Sequence, residues 1–186
     1  PTGHQPPTLH HQVDIERIDI QSPEPPPGAL GGDQAGPGAQ EGVQNQVAAA
    51  RDVDGGKDIL IEDNVVTESD LGIEVGAENK GTVTSGVIVR RNILYKNDKA
   101  GLVFGGYDKK RGRVTQCQFV ENQFYQNTQH PQAQGELWIQ HASDNVVRGN
   151  SFWVIGKKPM ALVVSGGGVN TVDENIWFTD NGAASL

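Results

Sequence analysis

Five asparagines constrain this chain more than any other feature. Asn64, Asn92, Asn122, Asn150 and Asn175 follow one another at intervals of 28, 30, 28 and 25 residues. Each is followed within two residues by a bulky apolar side chain: Val66, Leu94, Phe124, Phe152 and Trp177. A near-constant period in this range marks a repeat architecture, in which each unit buries its apolar face only against its neighbours.

The interval contains short alternating runs and no helical period. Asp58-Ile59-Leu60-Ile61, Val87-Ile88-Val89, Cys117-Gln118-Phe119 and Val146-Val147 precede the asparagines, and Gly72 to Gly76, Gly101 to Gly105, Gly135 to Gln140 and Met160 to Ser165 follow them. Each repeat therefore predicts two or three short strands separated by turns. Stacked in register, successive rungs lie about 4.8 Å apart. Inward columns then form from Ile59, Val87 and Cys117, from Ile61, Val89, Phe119 and Val147, and from Val66, Leu94, Phe124, Phe152 and Trp177. The asparagines fit a tight bend, where Asn tolerates left-handed backbone angles and bonds locally. At rung spacing each amide also reaches the next, forming a ladder that satisfies a buried polar group. They are read as structural, not catalytic.

Composition suits a narrow core, since only 35% of the residues are hydrophobic and 24 are glycine. The formal charge of −8 argues against a nucleic-acid partner, whose footprint is a basic patch. No apolar run is long enough for a membrane span. Cys117 is the sole cysteine, so no intrachain disulfide forms, and its place in a core column predicts an inert thiol. Residues 1–11, with His4, His10 and His11 but no periodicity, read as an irregular segment. Residues 12–186 read as the repeat domain, interrupted over 22–41 by a loop rich in proline and glycine.

With its asparagine column and stacked strands, the chain resembles the right-handed parallel β-helix proteins, the pectate-lyase-like superfamily, and within it bacterial secreted parallel β-helix repeat proteins. The resemblance spans residues 57–181 and, more weakly, 12–47. It implies an all-β, single-stranded solenoid of about five coils, a polysaccharide or oligosaccharide partner, and an extracellular or cell-envelope location. No capping helix is visible at either end, so the solenoid is expected to be incomplete at one or both ends, covered there by further coils or a partner. Function is open between a glycoside hydrolase or polysaccharide lyase and a non-catalytic binding, structural or adhesin module, because the fold does not select one.

In such a solenoid the outward side chains of one strand column form a shallow groove. Taking Ile73, Val75, Leu102, Phe104, Leu137, Ile139, Leu162 and Val164 as inward, alternation sends Glu74, Val103, Glu136, Trp138, Gln140 and Val163 outward. Glu78, Asn79, Tyr107, Asp108 and His141 are expected at the same edge. Trp138 and Tyr107 offer faces on which a sugar stacks, and the glycines at 72, 76, 101 and 105 would leave room for it. Glu74, Asp108, Glu136 and His141 are the catalytic candidates. Glu74 and Glu136 stand about 12 Å apart at the backbone, beyond the roughly 6.5–9.5 Å of inverting glycosidases. Glu78 and Asp108, about one rung apart, would shift each other's pKa or bind Ca²⁺. Lys109, Lys110 and Arg113, in the densest basic run, are candidates for holding an anionic polysaccharide. Leu137 to His141 resembles the Trp-Ile-Asp-His segment of pectate lyases, with Gln140 in place of the acid, and the family's arginine motif is not apparent. The resemblance therefore carries over no catalytic residues.

Overall fold

The computed structural model describes residues 42–43, 47–48, 51–133, 135–164 and 168–180. The irregular segment expected over 1–11, the start of the repeat domain from residue 12 and the loop expected over 22–41 lie outside these residues.

Four parallel sheets wrap one axis. The first stacks Gly42–Val43, Leu60–Glu62, Ile88–Arg90, Gln118–Val120, Val146–Arg148 and Thr171–Asp173. The second stacks Val47–Ala48, Val65–Thr67, Ile93–Tyr95, Gln123–Tyr125, Ser151–Val154 and Ile176–Thr179. The third holds Arg51–Asp54, Leu71–Ala77, Ala100–Gly106, Gly135–Gln140 and Ala161–Val164, and a short fourth holds Val83–Ser85, Arg113–Thr115 and Ala142–Ser143. Each coil passes through the sheets in this order, and every strand pairs in parallel with its counterpart one rung away. The molecule is a right-handed parallel β-helix, as expected, with four strands in its fullest coils rather than two or three.

The core columns follow the expected register. Ile61, Val89, Phe119, Val147 and Val172 align, as do Val66, Leu94, Phe124, Phe152 and Trp177. In the second column Phe124, Phe152 and Trp177 stack with centroids 4.6 and 4.2 Å apart, so the rings lie nearly parallel at about the rung spacing. Cys117 is buried among these residues, and burial pushes its thiol pKa up, which keeps it protonated and unreactive. One column departs from expectation. Leu137 pairs with Ala161 and Ile139 with Val163, so the register places Ala161, which packs against the core, where Leu162 was expected, while Val163 in this rung is 64% exposed.

The asparagines form the expected ladder. Asn64 donates both its backbone N–H and its Nδ2 to Asn92 Oδ1, at 3.0 and 2.9 Å, and the relay continues through Asn122 and Asn150 to Asn175. The second Nδ2 hydrogen of each lower asparagine bonds a carbonyl one rung back, such as Val89 for Asn122. The left-handed backbone belongs to the preceding residue: Asp63, Arg91, Glu121, Gly149 and Glu174 all have positive φ. That residue makes the bend, which frees the asparagine to point its amide inward.

Two further ladders occupy other corners. Asn145 accepts from the Cys117 N–H and donates to Asn170 Oδ1. Five residues after the first column, Ser69 donates its N–H to Asn97, and Asn97 donates its N–H and Nδ2 to Asn127. Asn127 donates in turn to Glu136, its N–H to Oε1 at 2.6 Å and its Nδ2 to Oε2 at 2.7 Å. The first residues of the third-sheet strands explain this switch. A Cβ on Gly72 would stand 2.7 Å from Leu94 Cδ2 and 3.1 Å from Asn97 Nδ2, and one on Gly101 2.7 Å from Phe124 Cδ1 and 2.9 Å from Asn127 Nδ2, so the ladder amide and the core side chain beside it share each glycine's space. The next rung has Ile155 in the ladder position, and Glu136, in register with Gly101, fills the space with its own side chain.

Candidate functional site

The three long sheets present different outer faces. On the first, Glu62, Arg90, Val120, Arg148 and Asp173 share a column. Its charges are paired: Glu62 meets Arg90 at 2.7 Å and Arg91 at 2.6 Å, and Arg148 meets Asp173 at 2.7 Å.

The groove expected from the sequence falls on the third sheet. Glu74, Val103 and Trp138 do share one outward column. The column is closed, however: Val103 is 3% exposed and the whole strand Ala100–Gly106 is buried. Three of the four glycines hold no room for a ligand, since Gly72 and Gly101 are closed by the next rung's backbone, core and ladder and a Cβ on Gly105 would overlap the Gln140 backbone, whereas a Cβ on Gly76 would meet nothing nearer than 3.9 Å. Gln140 itself is half-buried. Glu136, expected outward, is 0% exposed and turned toward Asn127, whose N–H and Nδ2 it accepts. Burial outweighs the two hydrogen bonds and raises its pKa to about 7.

At the edge of this sheet Asp108 closes a tight turn, accepting from the Lys110 and Arg111 N–H groups and from Arg111 Nε at 2.7 Å. The Arg111 guanidinium and the Lys110 amide hold its carboxyl below the ordinary range, which opposes a role as proton donor. Arg111 also lies over the Tyr107 ring, 3.7 Å from its centroid, covering one face that a sugar would use. Lys109 and Lys110 are exposed in this turn, and Arg113 opens the next strand. Glu78 and Asn79 are exposed on the preceding rung, where the Glu78 N–H bonds Asp54 Oδ1 and the Asn79 carbonyl bonds the Thr82 N–H. His141 has positive φ, and its buried Nδ1, like the Trp138 Nε1, has no hydrogen-bond partner. Among the described residues no three His, Cys, Asp or Glu side chains gather to hold a metal ion such as Ca²⁺.

The second sheet shows what the sequence reading passed over. Thr67, Tyr95, Tyr125, Trp153 and Phe178 occupy one outward column, each directly after the core residue of its rung. Tyr125 and Trp153 meet edge to face with centroids 5.3 Å apart, and Trp153 and Phe178 are tilted by 37° at 5.8 Å. The Trp153 Nε1 has no hydrogen-bond partner. Where these strands end, Gln126, Thr128, Gln129, Ile155 and Lys158 line an open cleft of about 170 Å³. The Gln126 N–H bonds the Trp153 carbonyl at 2.9 Å, so cleft and column are joined through the backbone. The signal was present: every third residue after a column asparagine, from Asn92 on, is aromatic. It was obscured because the inward aromatics beside it already accounted for the hydrophobic pattern.

No helix among the described residues is long and apolar enough to cross a membrane. A stretch of 93 residues, half of the chain, is 38% identical to the uncharacterized protein YwoF of Bacillus subtilis (strain 168), and it spans 20% of that protein's length. No solved structure matches the chain. The family model for the right-handed beta helix region matches residues 52–185, in agreement with the coils described above, and the chain belongs to that family.

Proposed function

We propose that the protein is a non-catalytic carbohydrate-binding β-helix that holds a polysaccharide along the outer face of its second sheet. The observation that carries this reading is the column Tyr95, Tyr125, Trp153 and Phe178. Aromatic rings on a half-exposed face stack on the C–H faces of sugars. The adjoining cleft supplies amides, a hydroxyl and one ammonium around the apolar Ile155, the mixed lining of a small-ligand site. The hydrolase or lyase reading has less support, because Glu136 and Asp108 are each committed to partners in their own turns.

The test is a binding panel of neutral and uronate-containing polysaccharides, run beside assays for reducing ends and for 4,5-unsaturated products. Binding without either product is expected, with Trp153→Ala weakening it at least tenfold. Product formation, or binding unchanged in Trp153→Ala and Tyr125→Ala, would overturn the proposal.

A further inference from the structure

Glu136 is a buried carboxyl group with a structural position and no ionic partner. In every other link of the ladders, one amide oxygen accepts both the N–H and the Nδ2 of the asparagine before it. Glu136 ends the ladder Ser69, Asn97, Asn127, and its two oxygens share those two donors. A neutral carboxylic acid can take this place: both oxygens accept from Asn127, the hydroxyl oxygen through a lone pair, and the hydroxyl hydrogen is left to donate as Nδ2 does. On the rungs before it the Nδ2 donates to the Val66 and Leu94 carbonyls, so the pattern nominates the Phe124 carbonyl for Glu136. The ionised form has no proton to donate and leaves a full charge where water does not reach.

Asn127, which Glu136 holds by main chain and side chain, lies between Gln126 and Thr128, two residues lining the cleft. We infer that Glu136 is the positioning residue of this cleft: protonated, it completes the ladder and fixes the 126–130 turn, and on losing its proton it releases that turn to water. The cleft is then set in slightly acidic surroundings and loosened in alkaline ones. This rests on the proposed ligand site only for its consequence, weaker glycan binding as pH rises. A carboxyl group raised to about 7 makes the change near neutrality.

Other titratable groups nearby have partners of their own. His130, in the same turn, accepts the Gln132 N–H through Nδ1 at 3.1 Å. Lys158 donates to the His130 carbonyl, and the Asp98 carbonyl accepts the His130 N–H. Lys99, at the entry of the neighbouring strand, is paired with Asp70 at 2.7 Å. Only burial and Asn127 act on Glu136.

Hydrogen exchange without ligand tests the inference, with protection factors corrected for the intrinsic pH dependence. Protection of the amides at 127–130 is expected to fall at least tenfold between pH about 5.5 and about 8.5, while Asn122 and Asn150 hold theirs. In Glu136→Gln the step should vanish, and in His130→Asn it should persist. A flat wild-type profile, or a step retained in Glu136→Gln, overturns the inference whatever the binding assay reads. A step present with no glycan bound at any pH supports the switch and overturns the ligand reading instead.

Discussion

The two ladders that flank the second sheet use the same relay and end differently. The first runs through five asparagines from Asn64 to Asn175, and each link is neutral. The second has Asn97 and Asn127, preceded by Ser69, and then closes on the side chain of Glu136 from the following strand of the same coil. A ladder of amides thus requires an oxygen at its end, and the fold takes one from wherever the backbone brings it within reach. In the first ladder the repeat provides it. In the second the fold recruits an ionisable group, and a local packing problem becomes a source of pH dependence.

Breaking the first ladder should have the largest effect. Asn122→Ala strips the Asn92 N–H and Nδ2 of their acceptor, and at about 1–3 kcal/mol for each buried unsatisfied group it should cost roughly 4 kcal/mol, read from urea unfolding. That loss should be the same at pH 5 and pH 8, whereas Asn127→Ala, which removes a contact the ionised Glu136 has already given up, should cost less at the higher pH. Equal costs for Asn127→Ala at both values would erase the distinction between the ladders.

Glu136→Gln comes next. The folded pKa of Glu136 is raised above its ordinary 4.5, so its contribution to stability is complete below that value and is lost as pH rises through about 7. The substitution should leave stability near pH 5 unchanged and raise it near pH 8 by on the order of 3 kcal/mol. Loss of stability at pH 8 would show that the carboxylate, not the acid, fits the ladder. Gly101→Ala should cost about 2 kcal/mol by forcing a Cβ against Asn127 and Phe124, again judged by urea midpoint. The smallest effect belongs to the first sheet: Asp173→Asn, which breaks an exposed pair with Arg148, should leave the midpoint unmoved, and a clear shift would show that the outer charge column contributes to stability.

Much of the fold was legible because it depends on period. Rung spacing, the core columns and the ladder from Asn64 follow from aligning five asparagines, and the parallel register reproduces those columns. Alternation carried the reading less well into the third sheet. It sent Glu136 outward, but Glu136 is buried against Asn127, and it placed Leu162 inward where Ala161 holds the register. Alternation is a rule for straight strands, and a β-helix turns a corner every few residues. The aromatic column was legible in principle from Tyr95, Tyr125, Trp153 and Phe178, since each follows its asparagine by three.

The sequence alone determined the rung, because a buried amide column at fixed spacing is satisfied only by stacking copies of itself. It also determined which apolar residues line the core. Tertiary structure decided which outer face is open, what fills the space beside each glycine, and that one carboxyl group completes a ladder of amides. Those outcomes depend on where corners fall and on what the next rung lacks, and Ile155 in an asparagine's place acquires its meaning only once Glu136 lies beneath it. Asn64 and its successors set the register, and the corners between them set the chemistry.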